Sequence, residues 1–419
     1  MDNRPGPIVG KPPTRRWRVK TLFVVLLAVG IGLVPALQSN AQVVIKSGDG
    51  RIVKRLSNSV STYGARALSY TRNGRVSPLP MRLIRGVHPV LRVRVNGGRN
   101  LDVLLDTGAN RTFVPPGIFG ERRGQKFIRV QTLCFENDTC FEGPMVSVTP
   151  TNYSQKRRGY YNGLLGVDLL RHTGLTIDYK NRRVFLGHDA GVAAGEAAIR
   201  TRFYMDGKTW RPHAKMTMGT VDFPGTLLDT GSSFTRLTPT MMSKLDRVPA
   251  TAYRELAFSA HGTRGSEILY LGNVCIDNTA CVPGILGQRG NWSAIGATFF
   301  RNFLTTFDFQ NLRLTLRPYG ASWIPPMSAM QRLGLQLDIL DAANIVFVEV
   351  GSPAALADIR KGAELHQING RSIQELGYLG AHEILEDADL SSFDISIRNA
   401  KGKARTVRLT ARRRETPSR

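Results

Sequence analysis

The most regular feature of the chain is a series of short stretches in which apolar and polar residues alternate. PVLRVRV at residues 89–95 is one such stretch, and KFIRVQTL, PMVSVTP and GLTIDY are others farther along. Alternation with a period of two places the apolar side chains on one face of a β-strand. A helical period is confined to short pieces such as PTMMSKLDRV. The pattern therefore predicts a mainly β protein.

Two parts of the chain repeat each other, separated by the small-residue stretch DAGVAAGEAA. Each part opens with a strand and LLDTG, at residues 104–108 and 227–231, and continues to a C-x5-C hairpin. Each then ends in two apolar residues and a glycine, a helical turn and two strands, so that TIDYKNRRV corresponds to TFDFQNLRL. A long internal repeat indicates a duplicated structural unit. We call the two copies the first repeat (residues 87–190) and the second repeat (residues 199–318).

The first 41 residues have the features of an export signal. Basic residues precede the apolar run TLFVVLLAVGIGLVPAL, and SNA then supplies small residues suited to cleavage after Ala41. The run has 17 residues, which is short for a bilayer span. We expect a cleaved signal peptide at residues 1–41, with an uncleaved membrane anchor as the alternative, and export to a bacterial periplasm or cell envelope. Residues 43–86 form an N-terminal extension without a motif, and three roles stay open: edge strand, bridge between the repeats, or propeptide.

The cysteines agree with an exported location. They form two C-x5-C pairs around Asn- and Asp-rich turns, Cys134 with Cys140 and Cys275 with Cys281. In an oxidising compartment, cysteines at this spacing are expected to form local disulfides. A zinc site needs four converging ligands, and no histidine lies near either pair in the sequence. We therefore expect disulfides, no metal and no cofactor.

The chain is strongly basic, with 57 Lys and Arg residues against 32 Asp and Glu residues and a net charge of +25. One interpretation is attraction to an anionic envelope surface. The other is an arginine-rich surface without a dedicated ligand. The basic residues form no long run and carry none of the usual nucleic-acid motifs, so a specific nucleic-acid partner is not expected.

The repeated LLDTG places an acid directly after a strand that should be buried, where a lone ionised carboxylate is costly. Duplicated units related by a two-fold axis can bring equivalent loops face to face. Asp106 and Asp229 would then lie close enough to share one proton, because two adjacent carboxylates do not both ionise. Such a pair supplies a general base and a general acid from one residue type. The spacing thus predicts acid–base hydrolysis.

The two D-T-G loops, each with a downstream apolar-apolar-Gly element, resemble those of the pepsin and retropepsin aspartic proteases. The resemblance covers about residues 89–316, and each repeat has the compact length of a retropepsin subunit. It implies a bilobal double β-barrel of two fused retropepsin-like lobes, with Asp106 and Asp229 as the catalytic dyad and polypeptides as substrates. The residues that it assigns to supporting the dyad are Thr107, Gly108, Thr230, Gly231 and Ser232, with Gly166 and Gly296 in the apolar-apolar-Gly elements.

The residues after the two D-T-G triplets differ. Ala109 follows the first, as in retropepsins, and Ser232 follows the second, as in pepsins. A hydrogen bond from the Ser232 hydroxyl would favour the charged form of Asp229. We therefore expect Asp229 to be the more acidic partner and Asp106 to hold the shared proton.

Aspartic proteases cover their substrate with a glycine-bearing hairpin, the flap. In the second repeat ELAFSAHGTRGSEILYL fits this element, with His261 and Gly262 near its tip. The first repeat has no comparable stretch. Either the hairpin closed by Cys134 and Cys140 takes this role, or the second repeat supplies the single flap.

Beyond residue 327 the sequence is similar to PDZ domains, which gives a predicted PDZ domain at residues 328–412. GSPAALADI and KGAELHQINGRSI carry the similarity. It implies that Leu333, Gly334 and Leu335 form the loop whose backbone amides bind a peptide C-terminus. Recruitment of substrate or regulation is one interpretation, and a fold that only packs against the second repeat is the other.

Taken together, the sequence predicts an exported aspartic endopeptidase with two retropepsin-like lobes and a C-terminal PDZ domain. The alternative is a catalytically inactive envelope adaptor that binds peptides.

Overall fold

Strands make up 47% and helices 12% of the computed structural model, which confirms the mainly β fold predicted from the alternation. The structure describes residues 43–46, 52–56, 71–72, 75–118, 125–137, 139–148, 161–187, 197–259, 262–320, 327–338, 341–387, 389–398 and 402–412. The predicted signal or anchor at residues 1–41 lies outside these ranges. Within them, no helix has both the length and the apolar composition needed to cross a membrane.

The elements up to the end of the first repeat are β1 (Val43–Lys46), β2 (Ile52–Leu56), β3 (Thr71–Arg72), β4 (Arg75–Val76), β5 (Leu79–Pro80), β6 (Arg82–Ile84), β7 (His88–Val95), β8 (Asn100–Leu105), β9 (Phe113–Val114), β10 (Phe127–Arg129), β11 (Thr132–Phe135), β12 (Cys140–Glu142), β13 (Met145–Val148), β14 (Gly163–Leu165), α1 (Val167–Leu170), β15 (Gly174–Asp178) and β16 (Arg183–Leu186). Those of the second repeat are β17 (Ile199–Arg202), β18 (Tyr204–Met205), β19 (Pro212–Met218), β20 (Val221–Leu228), β21 (Thr235–Leu237), α2 (Pro239–Met242), β22 (Thr251–Ser259), β23 (Gly262–Tyr270), β24 (Val274–Ile276), β25 (Ala280–Val282), β26 (Leu286–Arg289), β27 (Ala294–Ile295), α3 (Ala297–Phe300), β28 (Phe303–Asp308) and β29 (Arg313–Pro318). The C-terminal segment (residues 328–412) contains α4 (Ala329–Leu333), β30 (Leu335–Leu337), β31 (Ile345–Val348), α5 (Pro353–Leu356), β32 (Glu364–Ile368), β33 (Arg371–Ser372), α6 (Ile373–Leu385), β34 (Ser392–Arg398) and β35 (Ala404–Thr410).

The alternation seen in the sequence corresponds to sheets with one buried face. In β7 the side chains of Val93 and Val95 are buried, while Arg92 and Arg94, which alternate with them, are exposed. Successive side chains of a strand point to opposite faces, so the apolar set of β7 enters the core and the arginines remain in solvent.

Each repeat forms one curled sheet, and the two sheets have matching strand orders. The first runs β10-β13-β9-β14-β8-β7-β11-β12, and the second runs β22-β23-β26-β21-β27-β20-β19-β24-β25. In both sheets the strand that leads into D-T-G pairs in parallel with the strand of the apolar-apolar-Gly element, β8 with β14 and β20 with β27. The sequence repeat is therefore a repeat of topology.

A six-stranded sheet, β17-β29-β28-β15-β16-β5, joins the two repeats. At its centre β15 pairs antiparallel with β28, and Thr176 lies opposite Thr306. These two threonines occupy equivalent positions of the repeat, and their hydroxyl oxygens are 2.8 Å apart. When a position pairs with its own equivalent, an approximate two-fold axis passes between the two. The axis relates the first repeat to the second.

Part of the N-terminal extension belongs to this architecture. Strand β5 pairs with β16 and forms one edge of the six-stranded sheet, matching β17 at the other edge. The side chain of Leu79 in β5 is buried in the core. Arg85, after β6, forms a 2.8 Å ion pair with the buried Glu255 of the second repeat. Residues 79–85 therefore act as an edge strand and as a bridge, two of the three roles left open by the sequence.

The C-terminal segment forms a two-stranded sheet, β30-β31, and a four-stranded sheet, β33-β32-β34-β35. Its longest helix, α6, is kinked at Gly377, which has a φ of 61°. The segment packs on both repeats. One hydrophobic cluster joins Leu333 and other apolar residues of the segment to Leu104, Tyr161 and Leu164 of the first repeat. Another cluster joins Met330 to Phe234 and its neighbours in the second repeat. The predicted domain limits remain predictions.

Candidate active site

Asp106 and Asp229 sit at equivalent positions, one residue beyond the ends of β8 and β20. The backbone N–H of Asp106 donates to the carbonyl oxygen of Leu165 at 3.0 Å, and that of Asp229 donates to Ile295 at 2.9 Å. Each acid is thus fixed by the strand of the apolar-apolar-Gly element of its own repeat.

The glycines of these elements are required by close packing. A Cβ atom on Gly166 would lie 2.5 Å from the backbone of Arg111, and one on Gly296 would lie 2.4 Å from the backbone of Phe234. Both contacts are shorter than any carbon–carbon contact that packing allows. Each glycine therefore lets its element lie directly against the loop that carries the acid.

The threonines of the two D-T-G triplets bind the loops to each other. The hydroxyl of Thr107 donates to the carbonyl oxygen of Leu228 at 2.7 Å, and that of Thr230 donates to Leu105 at 2.9 Å. Each hydroxyl also accepts the backbone N–H of the other threonine, at 3.1 and 3.0 Å. Both threonines are fully buried. We call this set of four bonds the threonine brace.

The brace brings the two carboxyl groups into contact. A Cβ atom on Gly231 would lie 2.3 Å from Cγ of Asp106. A Cβ atom on Gly108 would lie 2.4 Å from Cγ of Asp229. Each acid is also close enough to shift the pKa of the other. The structure therefore brings Asp106 and Asp229 together, and we call them the carboxyl pair.

Each acid also accepts two backbone N–H groups at one oxygen. Oδ1 of Asp106 accepts from Gly108 and Ala109, both at 2.9 Å. Oδ1 of Asp229 accepts from Gly231 at 3.0 Å and Ser232 at 2.9 Å. These four bonds fix the orientation of the two carboxyl groups through one oxygen of each.

The two acids differ in their pKa. Burial, followed by the charge of Asp229, raises the pKa of Asp106 well above its ordinary value. Burial also raises the pKa of Asp229, but the positive charge of Arg236 opposes this. The nearby cation thus lowers the pKa of Asp229, while the adjacent charge of Asp229 raises that of Asp106.

The expected role of the Ser232 hydroxyl was wrong. It donates to the carbonyl oxygen of Phe234 at 2.9 Å and accepts from Nε of Arg236 at 3.0 Å. Ser232 contacts Asp229 through its backbone N–H, as Ala109 contacts Asp106 in the first repeat. The hydroxyl points away because local backbone and arginine partners are available to it. The asymmetry of the pair originates in Arg236.

The predicted flap of the second repeat is a hairpin of β22 and β23. Gly262 is the first residue of β23, while His261 lies outside the described residues. The structure joins Cys134 to Cys140 and Cys275 to Cys281. Both disulfide hairpins lie at equivalent places, β11-β12 beside β7 and β24-β25 beside β19. Of the described residues around the carboxyl pair, none belongs to either hairpin.

The predicted peptide-binding loop of the C-terminal segment is buried and hydrogen-bonded within the segment itself. Leu333 ends α4, and Gly334 follows it in a left-handed conformation that closes the helix. The N–H of Gly334 donates to the carbonyl oxygen of Met330 at 2.9 Å. Leu333 and Leu335 are buried. In this arrangement the Gly334 amide is not available to a peptide carboxylate, and the proposed role of these three residues stays a prediction.

A cavity of about 210 Å³ lies at the carboxyl pair. Besides Ser232 and the aspartate and glycine of each D-T-G triplet, its walls are formed by Leu104, Tyr161, Arg211, Leu227, Arg236 and Trp292. The sequence reasoning missed Arg236. The pattern could have indicated it, because the arginine of T-R-L at residues 235–237 alternates with two residues suited to burial. The structure buries Thr235 and Leu237, and Arg236 lies on the other face of the strand.

No family model matches this sequence, and a search of curated proteins finds no match. Within the described ranges, no three His, Cys, Asp or Glu side chains come together as a metal site would require.

Proposed function

We propose that this protein is an aspartic endopeptidase built from two retropepsin-like lobes, followed by a PDZ-like domain. One observation carries the proposal. Two carboxyl groups from equivalent loops each lie against the glycine of the other loop, and the loops are held by a symmetric set of buried hydrogen bonds. A pair of acids kept at one proton in a shared site is the arrangement that general acid–base hydrolysis requires.

In the proposed reaction, a water molecule between the acids is the nucleophile. The ionised carboxylate of Asp229 takes one proton from the water as its oxygen bonds to the peptide carbonyl carbon. Asp106 gives its proton to the carbonyl oxygen, which yields a tetrahedral diol. The C–N bond then breaks, the proton on Asp229 passes to the leaving nitrogen, and a diol hydroxyl returns its proton to Asp106. One water and one peptide bond become a carboxyl group and an amine, and the pair is restored.

The direction of proton transfer follows from the electrostatics of the site. Arg236 favours the charged form of Asp229, which therefore acts as the base. Asp106 is kept protonated by burial and by the adjacent charge, and therefore acts as the acid.

We further propose that the protein works outside the cytoplasm. The two disulfides are of the kind that persists in an oxidising compartment, and the N-terminal sequence has the composition of an export signal. The C-terminal segment would recruit polypeptide substrates or regulate their access to the site.

The test is cleavage of an unfolded protein between about pH 3 and pH 7, with and without pepstatin. The full chain is compared with Asp106→Asn and with Asp246→Asn, a matched change at an exposed loop residue. We expect wild-type and Asp246→Asn protein to cleave, and Asp106→Asn to lose about 100-fold or more in kcat/KM, since general acid–base groups contribute about 10²–10⁴-fold each. Equal inertness of all three proteins would favour the alternative, a peptide-binding adaptor without turnover.

A further inference from the structure

The wall of the cavity on the Asp229 side is cationic. Arg211 and Arg236 both line it, together with the half-exposed ring of Trp292. The guanidinium carbon of Arg236 lies 4.7 Å from the centre of the Trp292 ring. Since Thr235 and Leu237 occupy the buried face of β21, the side chain of Arg236 is directed to the cavity side.

The guanidinium of Arg236 is held in one orientation by two kinds of contact. Its Nε donates to Ser232 Oγ at 3.0 Å, and its guanidinium lies over the Trp292 ring. A guanidinium carries five N–H donors in one plane, in a fork that matches a carboxylate. A fixed guanidinium of this kind is well suited to bind a carboxylate, because little side-chain freedom is lost on binding.

The opposite wall of the cleft has no counterpart to this arginine. The position equivalent to Arg236 is Phe113, and the strand registers agree, since Phe113 lies opposite Leu164 and Arg236 lies opposite Ala294. Phe113 packs against the hydrophobic cluster that contains the C-terminal segment. The cleft is therefore apolar on the Asp106 side and cationic on the Asp229 side.

The charges in the cavity favour an anionic group. The carboxyl pair with one shared proton contributes a single negative charge, while Arg211 and Arg236 contribute two positive charges. An added side-chain carboxylate would be attracted by these arginines, whereas a lysine or arginine would meet like charge.

We propose that Arg236, with Arg211 in the wall of the same cavity, is the specificity-determining residue of a subsite that accepts an aspartate or glutamate side chain of the substrate. The acidic residue would lie within two positions of the scissile bond, on the side of the cleft formed by the second repeat. This inference rests on the proposed function, since it names the class of peptide that the same site would cleave.

The test uses pairs of peptides that differ in one residue, Glu or Gln, within two positions of the cleaved bond. The quantity measured is the ratio of kcat/KM for the Glu peptide to that for the Gln peptide. It is compared in wild type, in Arg236→Met, and in Arg202→Met, which removes an equal charge at an exposed position of β17. We expect a ratio of about ten or more in wild type and in Arg202→Met, from a charge-assisted hydrogen bond, and a ratio near one in Arg236→Met. Taking the ratio cancels any general effect of Arg236 on the carboxyl pair.

The outcomes separate the two proposals. If wild type cleaves no peptide and equals Asp106→Asn, the proposed function fails. If wild type cleaves without preferring Glu, or if the preference survives in Arg236→Met, the subsite is overturned while the proposed function stands. Should Arg236→Met not fold, Arg236→Lys serves instead, and it must reduce the ratio because it keeps the charge but lacks the planar donor set.

Discussion

The threonine brace gives a prediction that can be measured without any assay of activity. In Thr107→Val the side chain keeps its shape but loses the hydroxyl. The buried N–H of Thr230 then has no acceptor, and the carbonyl oxygen of Leu228 loses its 2.7 Å donor. An unsatisfied buried donor or acceptor costs about 1–3 kcal/mol, and a carbonyl retains a second lone pair, so we expect a loss of roughly 2–4 kcal/mol in the free energy of unfolding. Thr230→Val should lose about the same, because the brace is symmetric.

The double variant distinguishes a brace from two separate hydrogen bonds. The hydroxyl oxygens of Thr107 and Thr230 are 3.4 Å apart, and each serves the backbone of the other loop. Once the first substitution has loosened one loop, the second substitution lowers the free energy of unfolding by a smaller amount. We therefore expect the double variant to lose less than the sum of the single losses, by at least about 0.5 kcal/mol, as coupled residues do.

The assay is urea denaturation of the full chain, followed by circular dichroism and by tryptophan fluorescence. The stability change is taken from the midpoint at unchanged slope. Thr107→Ser is the matched control, since it keeps the hydroxyl and should lose only about 0.8 kcal/mol for the missing methyl group. Thr240→Val at an exposed position of α2 should have little effect. A loss below about 0.5 kcal/mol in Thr107→Val, or no difference between the Val and Ser variants, would refute the reasoning.

The D-T-G loops and the disulfides can be tested by further substitutions. Gly231→Ala would place a Cβ atom 2.3 Å from Cγ of Asp106, where 3.4 Å is an ordinary contact. The carboxyl must therefore move by about 1 Å, and kcat/KM should fall about 100-fold. Gly207→Ala, with no atom within 4 Å of the added carbon, is the control, and equal activity of the two variants would contradict the required contact. Because burial raises the pKa of Asp106, ionising this acid costs folded-state stability as the pH rises above its ordinary value. Asp106→Asn should thus gain in melting temperature over wild type from about pH 4 to about pH 7, and a constant difference across this range would argue against a shifted acid. Replacing Cys275 and Cys281 with serine should cost about 2 kcal/mol, since the disulfide closes a loop with a sequence separation of 6. A midpoint of urea unfolding equal to that of oxidised wild type would speak against this.

The sequence was most informative where it repeats. Two copies of LLDTG predicted that Asp106 and Asp229 lie close together, because identical local sequence in a duplicated unit adopts identical loops on either side of a two-fold axis. The glycines at 166 and 296 were found in the same way. These features depend on local backbone geometry, which a short motif can specify.

Features that depend on pairing between distant residues were not predictable. The partner of the Ser232 hydroxyl was decided by the position of Arg236, and nothing in D-T-G-S indicates that an arginine on the next strand is within reach. The pairing of β5 with β16 joins residues about a hundred positions apart, and a two-residue strand carries too little pattern to reveal its partner. The contact between the C-terminal segment and the first repeat was not predictable for the same reason. An apolar helix face shows that some surface will cover it, but not which surface.

That contact has a consequence for any polypeptide that enters the cleft. Leu104 and Tyr161 form part of the cavity wall, yet they are only 2% and 5% exposed, because they belong to the hydrophobic cluster shared with the C-terminal segment. The remaining space of about 210 Å³ is smaller than the roughly 300–1,000 Å³ of pockets that hold drug-sized ligands. In the proposed protease, a peptide that needed more room along Leu104 and Tyr161 would have to displace the C-terminal segment, which is part of the same chain. The apparent Kd of such a peptide would equal its intrinsic Kd divided by the fraction of molecules in which the segment is displaced, so that displacement in about one molecule in a hundred would weaken binding about 100-fold.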